Sequence, residues 1–255
     1  MSKKILLIVE GESDEVKFLR GLFENCFKKA DYKFYSYKTN IHTLAQELYN
    51  NYPDFDDGDI DIRLVLASLE SSKDKKEMLM DKYSDIYMVF DFEPQHDHKH
   101  FDTVRRMVNY FNDSTNQGQL FINYPMMQSY KHFECLPCPL FEFYEVPLDQ
   151  AKEYKRYIGE MSNFKDLTKY TYITYYSIAV HHLKKANKIL NGFYLLPSKS
   201  EYFDFKATPI FDYQVNLLEL SNNISILNTC IFALVDFAPS KFFAFVSRHK
   251  DDLLI

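Results

Sequence analysis

ILLIVEGESD, residues 5–14, runs five apolar side chains straight into an acidic, glycine-containing turn. A short, uninterrupted apolar run suits a strand buried on both faces, as parallel sheets require. Ser13 or Asp14 can cap the helix that follows, in which Val16, Leu19, Leu22, Phe23, Cys26 and Phe27 recur at helical spacing. Glu10 then stands just past the carboxyl end of the strand, where open α/β sheets bind their ligands. Gly11 permits the tight turn behind it.

Outward from this stretch, strand and helix signals alternate. Thr43–Tyr52 reads as a helix, Ile60–Ala67 as a strand and Ser71–Tyr83 as a charged helix. Asp85–Phe92 (DIYMVFDF) is a strand, Phe101–Phe111 a helix and Gln119–Asn123 (QLFIN) a strand. Strands separated by helices imply parallel pairing through crossovers, with helices on both faces of the sheet. Beyond about residue 150 the pattern turns helical: Ala151–Met161, Asp166–Asn191, Tyr213–Leu220, Ile224–Phe237 and Ser240–Asp251. The expected organisation is an α/β unit with a mainly parallel sheet over residues 1–130 and a mainly helical subdomain over 131–255. The short linker near Pro137–Pro147 suggests that the two pack together.

A net charge of -6 gives no global basic signature for nucleic-acid binding, and the acids cluster at Asp54, Asp56, Asp57, Asp59 and Asp61. The abundant Phe and Tyr belong mostly to a core, although exposed ones can stack on bases. Four cysteines and no signal-peptide pattern imply reduced thiols and a cytoplasmic protein. No apolar run is long enough to cross a bilayer, so no membrane partner is expected. Neither a Walker-type loop nor a GxGxxG fingerprint occurs.

The third expected strand carries the second half of a constellation. In YMVFDFEPQ, Asp91 and Glu93 are two apart, so in extended backbone both point the same way, and Pro94 ends the strand. Three carboxylates converging at one sheet edge would repel one another unless a hard divalent cation joined them. Magnesium takes oxygen ligands and is typically held by one or two carboxylates plus substrate phosphate. A strand ending in Glu (IVEGESD), followed by a strand ending in an acidic pair (DFE), resembles the TOPRIM superfamily over roughly residues 4–125. The resemblance implies a Rossmann-like TOPRIM fold and a Mg2+-dependent (Mn2+ as substitute) nuclease. In that reading Glu10 is a general acid/base or metal ligand, Asp91 and Glu93 hold the metal, and Asp14 adds a ligand, as in OLD-like nucleases. LFINYPMMQSYKHF resembles a segment of TOPRIM-type proteins of prokaryotic phage defence, which often carry an acid where this chain has Gln128.

Other features are read more plainly. His96, His98 and His100 form a polar loop leading into the next helix, and Cys135 and Cys138, with His132 nearby, are packing residues in a connecting loop. Arg105, Arg106, Lys184 and Lys185 are candidate nucleic-acid contacts, and Lys131 a candidate catalytic cation for transition-state charge. The helical half would shape a substrate groove or hold a protein partner, or a second copy of the chain. The alternative to a constitutive nuclease is a latent, toxin-like effector or regulatory interaction protein of a defence system, active only with or after release from a partner.

Overall fold

A computed structural model describes residues 3–27, 30–58, 60–95 and 100–253. Its centre is a five-stranded sheet. β1 (Lys4–Val9) leads to α1 (Asp14–Cys26), β2 (Asp31–Ser36), α2 (Ile41–Asn51), α3 (Ile62–Leu69) and α4 (Lys73–Leu79). β3 (Asp85–Asp91), α5 (Phe101–Tyr110), the two-residue β4 (Asn112–Asp113) and β5 (Gly118–Asn123) complete the sheet. The strand order is β2-β1-β3-β5-β4, parallel except for the β4–β5 pair. β1 and β3 are buried almost throughout, as their apolar runs require.

The order holds a switch point. The chain leaves β1 through α1 to β2 on one side, then returns through α2, α3 and α4 to β3 on the other side. Connections that diverge in this way leave a crevice at the carboxyl ends of the two strands. Glu10 and Asp91 stand there.

Two expectations about elements fail. Ile60–Ala67 is not a strand. Asp61 accepts the Arg63 amide at 2.9 Å and starts helix α3, which buries Ile62, Val65 and Leu66 while leaving Leu64 and Leu69 exposed. Apolar residues at i, i+3 and i+4 with a polar cap favour a helix over a strand. The strand that pairs with β1 is instead DYKFYS (β2), whose edge position lets it remain polar. The expected helical span Ile224–Phe237 also begins as strand, because Asn223–Ser225 pairs antiparallel with Glu145–Pro147.

The remaining elements are β6 (Glu145–Pro147), α6 (Leu148–Ala151), α7 (Tyr154–Met161), α8 (Tyr172–Asn191), α9 (Lys199–Phe203), α10 (Ala207–Ser221), β7 (Asn223–Ser225), α11 (Ala233–Phe237), α12 (Pro239–Arg248) and α13 (Lys250–Leu253). α8 is capped by a Thr171–Thr174 box and stopped by Gly192 at φ 85°, a backbone conformation that favours glycine. It packs on α1 and α10, while α11 also meets α1. One apolar core runs from Ile5 to Leu253 and crosses residue 130 without a break. Among the described residues no single helix is long and apolar enough to cross a membrane.

Candidate active site

Glu10 is anchored from both ends. Its amide donates to Val89 O at 3.2 Å, and its side-chain Oε2 accepts the Asp91 amide at 3.2 Å. The crossed contacts tie the end of β1 to the end of β3. Asp91 Oδ1 accepts the Met127 amide at 2.7 Å, so a third segment, the tight turn Met127–Lys131 after β5, joins the site. Glu10 and Asp91 are thus brought together, each with one carboxylate oxygen fixed by a backbone donor.

Glu93 departs from the expected geometry. β3 ends at Asp91, and Glu93 has φ 50°, so the two-residue alternation of a strand does not extend to it. The residue before a proline ordinarily takes extended backbone, whereas Glu93 turns the chain through the left-handed region. Glu93 nevertheless remains within electrostatic reach of Glu10 and Asp91. It shares with Glu10, Gly11, Lys38 and Asn40 a surface cleft of about 580 Å3.

Burial, with the Glu93 and Glu15 charges added, raises the Glu10 carboxyl to about 7. Burial and the neighbouring Glu10 and Glu15 charges hold Asp91 well above the usual carboxylate range, although the Met127 amide opposes the shift. Glu15 is raised as well, chiefly by burial. A cluster of this kind disfavours full ionisation unless a cation enters it.

Glu15 is the site residue that sequence reasoning missed. A side chain at residue 11 would place its Cβ 2.8 Å from Glu15 Oε2, so the Glu15 carboxylate lies against the bare backbone of Gly11. Gly11 does not need a left-handed backbone. It lies in the bend between β1 and α1, and its missing side chain also leaves room for that carboxylate. Ser13 occupies the cap position of α1 without a capping side-chain bond.

Asp14 belongs to a second, mixed-charge group. Its Oδ2 meets Gln128 Nε2 at 2.8 Å and Lys155 Nζ at 2.8 Å. Burial pushes its carboxyl up, but the Lys155 and Gln128 contacts outweigh this and leave it below the ordinary value. In this state Asp14 is an ion-pair partner of Lys155. Lys131 is half-buried nearby: burial lowers its pKa, the Asp14 charge supports its protonated form and Lys155 opposes it. The turn after β5 therefore brings Met127, Gln128 and Lys131 to one wall of the site.

The expected nucleic-acid contacts lie otherwise. Arg105 holds Asp212 through two bonds of 2.7 and 2.9 Å, and Arg106 holds Asp56 and the Pro53 carbonyl. Lys184 is partly buried with its ammonium 5.8 Å from the Tyr194 ring centroid. Lys185 contradicts the expectation: it is 2% exposed, and its ammonium donates to the carbonyls of Phe141 and Tyr144. Burial lowers it to about 7. It is a core group, out of reach of a polyanion.

His132 is buried on the Tyr154 hydroxyl at 2.8 Å, Cys138 is buried, and Cys135 is exposed. Of the histidine loop, His96 and His98 lie outside the described residues, and His100 precedes α5.

Glu10 and Glu93 bring carboxylate oxygens, the ligand type of a hard divalent ion, to a cleft that also holds Lys38, Asn40 and the hydroxyls of Ser36, Thr39 and Thr43. Among the described residues no group of three or more His, Cys, Asp or Glu side chains is placed to hold a metal ion, so the expected set Glu10, Asp14, Asp91 and Glu93 is not gathered as one. Two carboxylates open to a cleft suit an ion that keeps water and takes substrate oxygens. No protein-family model matches this chain, and no curated protein and no solved structure matches it either.

Proposed function

We propose that the chain is a TOPRIM-type nuclease that hydrolyses nucleic-acid phosphodiester bonds with Mg2+, or Mn2+ in its place, in cytoplasmic defence of a prokaryote against phage. The observation that carries this reading is the Glu10–Asp91 pair at the switch point, flanked by Glu15 and Glu93. The class of target and the defence role rest on the sequence resemblance alone. Glu10 and Asp91 would hold the ion, with Glu93 reaching it from the cleft. When bound, the ion would lower the pKa of an attacking water and neutralise charge on the phosphate. Without the ion the Glu10 carboxyl, near 7, can exchange a proton at neutral pH; a bound ion would lower it, so Glu10 is general acid/base or metal ligand, one role at a time. Lys155, paired with Asp14, and Lys131, within reach of the Asp14 charge, are the candidate cations for phosphate oxygens.

A specific observation favours the alternative of a partner-dependent effector. Arg105 and Arg106 are already paired with carboxylates of this chain, and Lys185 is buried. Those cations do not make a ready basic track for nucleic acid. On this reading the acidic site is intact but substrate is presented by a protein partner, or by a second copy docked on the helical half.

The test is calorimetric titration of Mn2+ into wild type and Asp91→Asn, followed by cleavage assays on DNA and RNA with Glu10→Gln as control. Saturable binding lost in Asp91→Asn, with metal-dependent cleavage lost in Glu10→Gln, is expected. Mn2+ binding that Asp91→Asn leaves unchanged would remove the metal role from this crevice. Binding without cleavage, restored by adding a partner, would select the second reading.

A further inference from the structure

A second chamber lies beside β5, separate from the carboxylate crevice. It has a volume of about 190 Å3 and is walled by Phe121, Ile122 and Tyr124 on the sheet side and by Tyr202, Phe205 and Phe232 opposite. Phe203, 57% exposed, and the exposed Lys206 also line it and mark the side open to solvent. A cavity of roughly 150 Å3 holds one benzene ring. The chamber therefore admits one ring or a small fused pair.

Its polar end is set by Asp236. Oδ2 of Asp236 accepts the Tyr87 hydroxyl and the Ser114 hydroxyl, each at 2.8 Å. Asp236 is half-buried and its Oδ1 is not among the buried atoms that lack a partner, so that oxygen faces water in the open side of the chamber. Burial raises this carboxyl above its ordinary value, while the two hydroxyls oppose the shift. The lining mixes aromatic rings with Asn112, Gln119, Lys206, Thr229 and Asp236, so a hydrocarbon that fills it displaces water from polar groups without replacing their hydrogen bonds. The chamber is a good site for a flat ring that brings its own donor.

We propose that this cavity binds a small planar aromatic amine or amino-substituted heterocycle, its ring enclosed by the Phe121–Tyr124 and Tyr202–Phe205 walls and its N–H groups on Asp236. Three features converge on that class. The volume suits one or two rings, the walls favour a flat π surface, and the open carboxylate oxygen offers an acceptor to a donor or cation. The site stands independently of any activity at Glu10 and Asp91.

The experiment is calorimetry and ligand-detected NMR with two probes, 2-aminobenzimidazole and the similarly shaped hydrocarbon indene. The expected result is saturable one-to-one binding of the amine, with indene at least about tenfold weaker, as loss of a charge-assisted hydrogen bond implies. Asp236→Asn keeps an acceptor for Tyr87 and Ser114 and should weaken the amine by about tenfold without changing indene. Ala207→Leu places extra side chain in the lining and should weaken both probes without touching the carboxylate. Circular dichroism melts establish that each variant is folded, and Ala207→Leu remains decisive where Asp236→Asn does not fold. No saturable amine binding to wild type would overturn the proposal. So would amine binding that a folded Ala207→Leu leaves unchanged, or that a folded Asp236→Asn leaves unchanged.

Discussion

At the residue scale, Glu10 links the site to pH. An ordinary glutamate, as in the unfolded chain, titrates at 4.5, whereas in the fold burial and its acidic neighbours raise Glu10 to about 7. Below 4.5 both states hold the proton and Glu10 contributes nothing. Between 4.5 and 7 the unfolded chain releases the proton while the fold retains it, so stability falls as pH rises. The full penalty, above pH 7, is on the order of 3 kcal/mol. Asp91, raised by burial and by Glu10, acts in the same direction. In chelator, the melting temperature of wild type is expected to decline relative to that of Glu10→Gln between pH 5 and 8, a comparison that cancels the opposite contribution of the buried His132, His181 and His182. Glu10→Gln, whose amide oxygen can still accept the Asp91 N–H, should be the more stable protein at pH 8. Mg2+ should reverse the slope for wild type alone, because the ion competes with the proton. A variant whose profile runs parallel to wild type in chelator would show that Glu10 is not the strained acid.

At the element scale, the strands that form the site were legible in the sequence and their supports were not. β1, β3 and β5 are short apolar runs bounded by polar turns, and burial on both faces leaves them little other composition. β2 was missed because an edge strand needs only partial burial, and DYKFYS lacks an apolar run. The run from Ile60 was misread because eight mostly apolar residues satisfy either period, and the Asp61 cap decides between them. Glu10 and Asp91 were legible from strand ends. Glu15 was not, since which acid of ESDE faces inward depends on the space above Gly11. Nor was the burial of Lys185, which depends on carbonyls some forty residues away. The same non-local logic governs the turn that holds Asp91. Asn228 is fully buried; its Nδ2 donates to Met127 O at 3.0 Å, and its Oδ1 accepts the Ile231 amide at 3.1 Å. Asn228→Ala leaves both backbone groups without those partners and should cost about 3 kcal/mol in urea unfolding. It should also weaken Mn2+ binding severalfold, because the Met127 amide orients Asp91. A loss of stability with unchanged metal affinity would show that the turn is held in place by other contacts.

At the scale of the whole molecule, the question is whether the α/β part can stand without the helical part. The sequence pattern turns helical near residue 150 and the expected boundary lies at 130, but the packing breaks at neither. Phe18 meets Tyr175 at 5.6 Å between ring centroids, Phe23 meets Phe237 at 5.8 Å, and Phe92 and Phe101 meet Phe211 at 5.9 and 6.1 Å. Tyr87, in the central strand, bonds Asp236, and the Ile122 carbonyl accepts the Thr229 hydroxyl. Removing residues beyond 130 therefore uncovers α1 and α5 and leaves buried polar groups of β3 and β5 without partners. Each exposed aromatic forfeits about 2 kcal/mol of burial, and domain stability is only about 5–15 kcal/mol in total. A fragment ending at residue 130 is accordingly expected to lack a cooperative urea transition and to bind a hydrophobic dye, although it contains Glu10, Asp91 and Glu93. Its Mn2+ affinity should be lost as well, because Asn228 and Lys155, which steady Met127 and Asp14, are absent. Cooperative unfolding of that fragment with wild-type metal affinity would instead mean that the helical half is an appended cover. The candidate site would then be complete within the α/β unit.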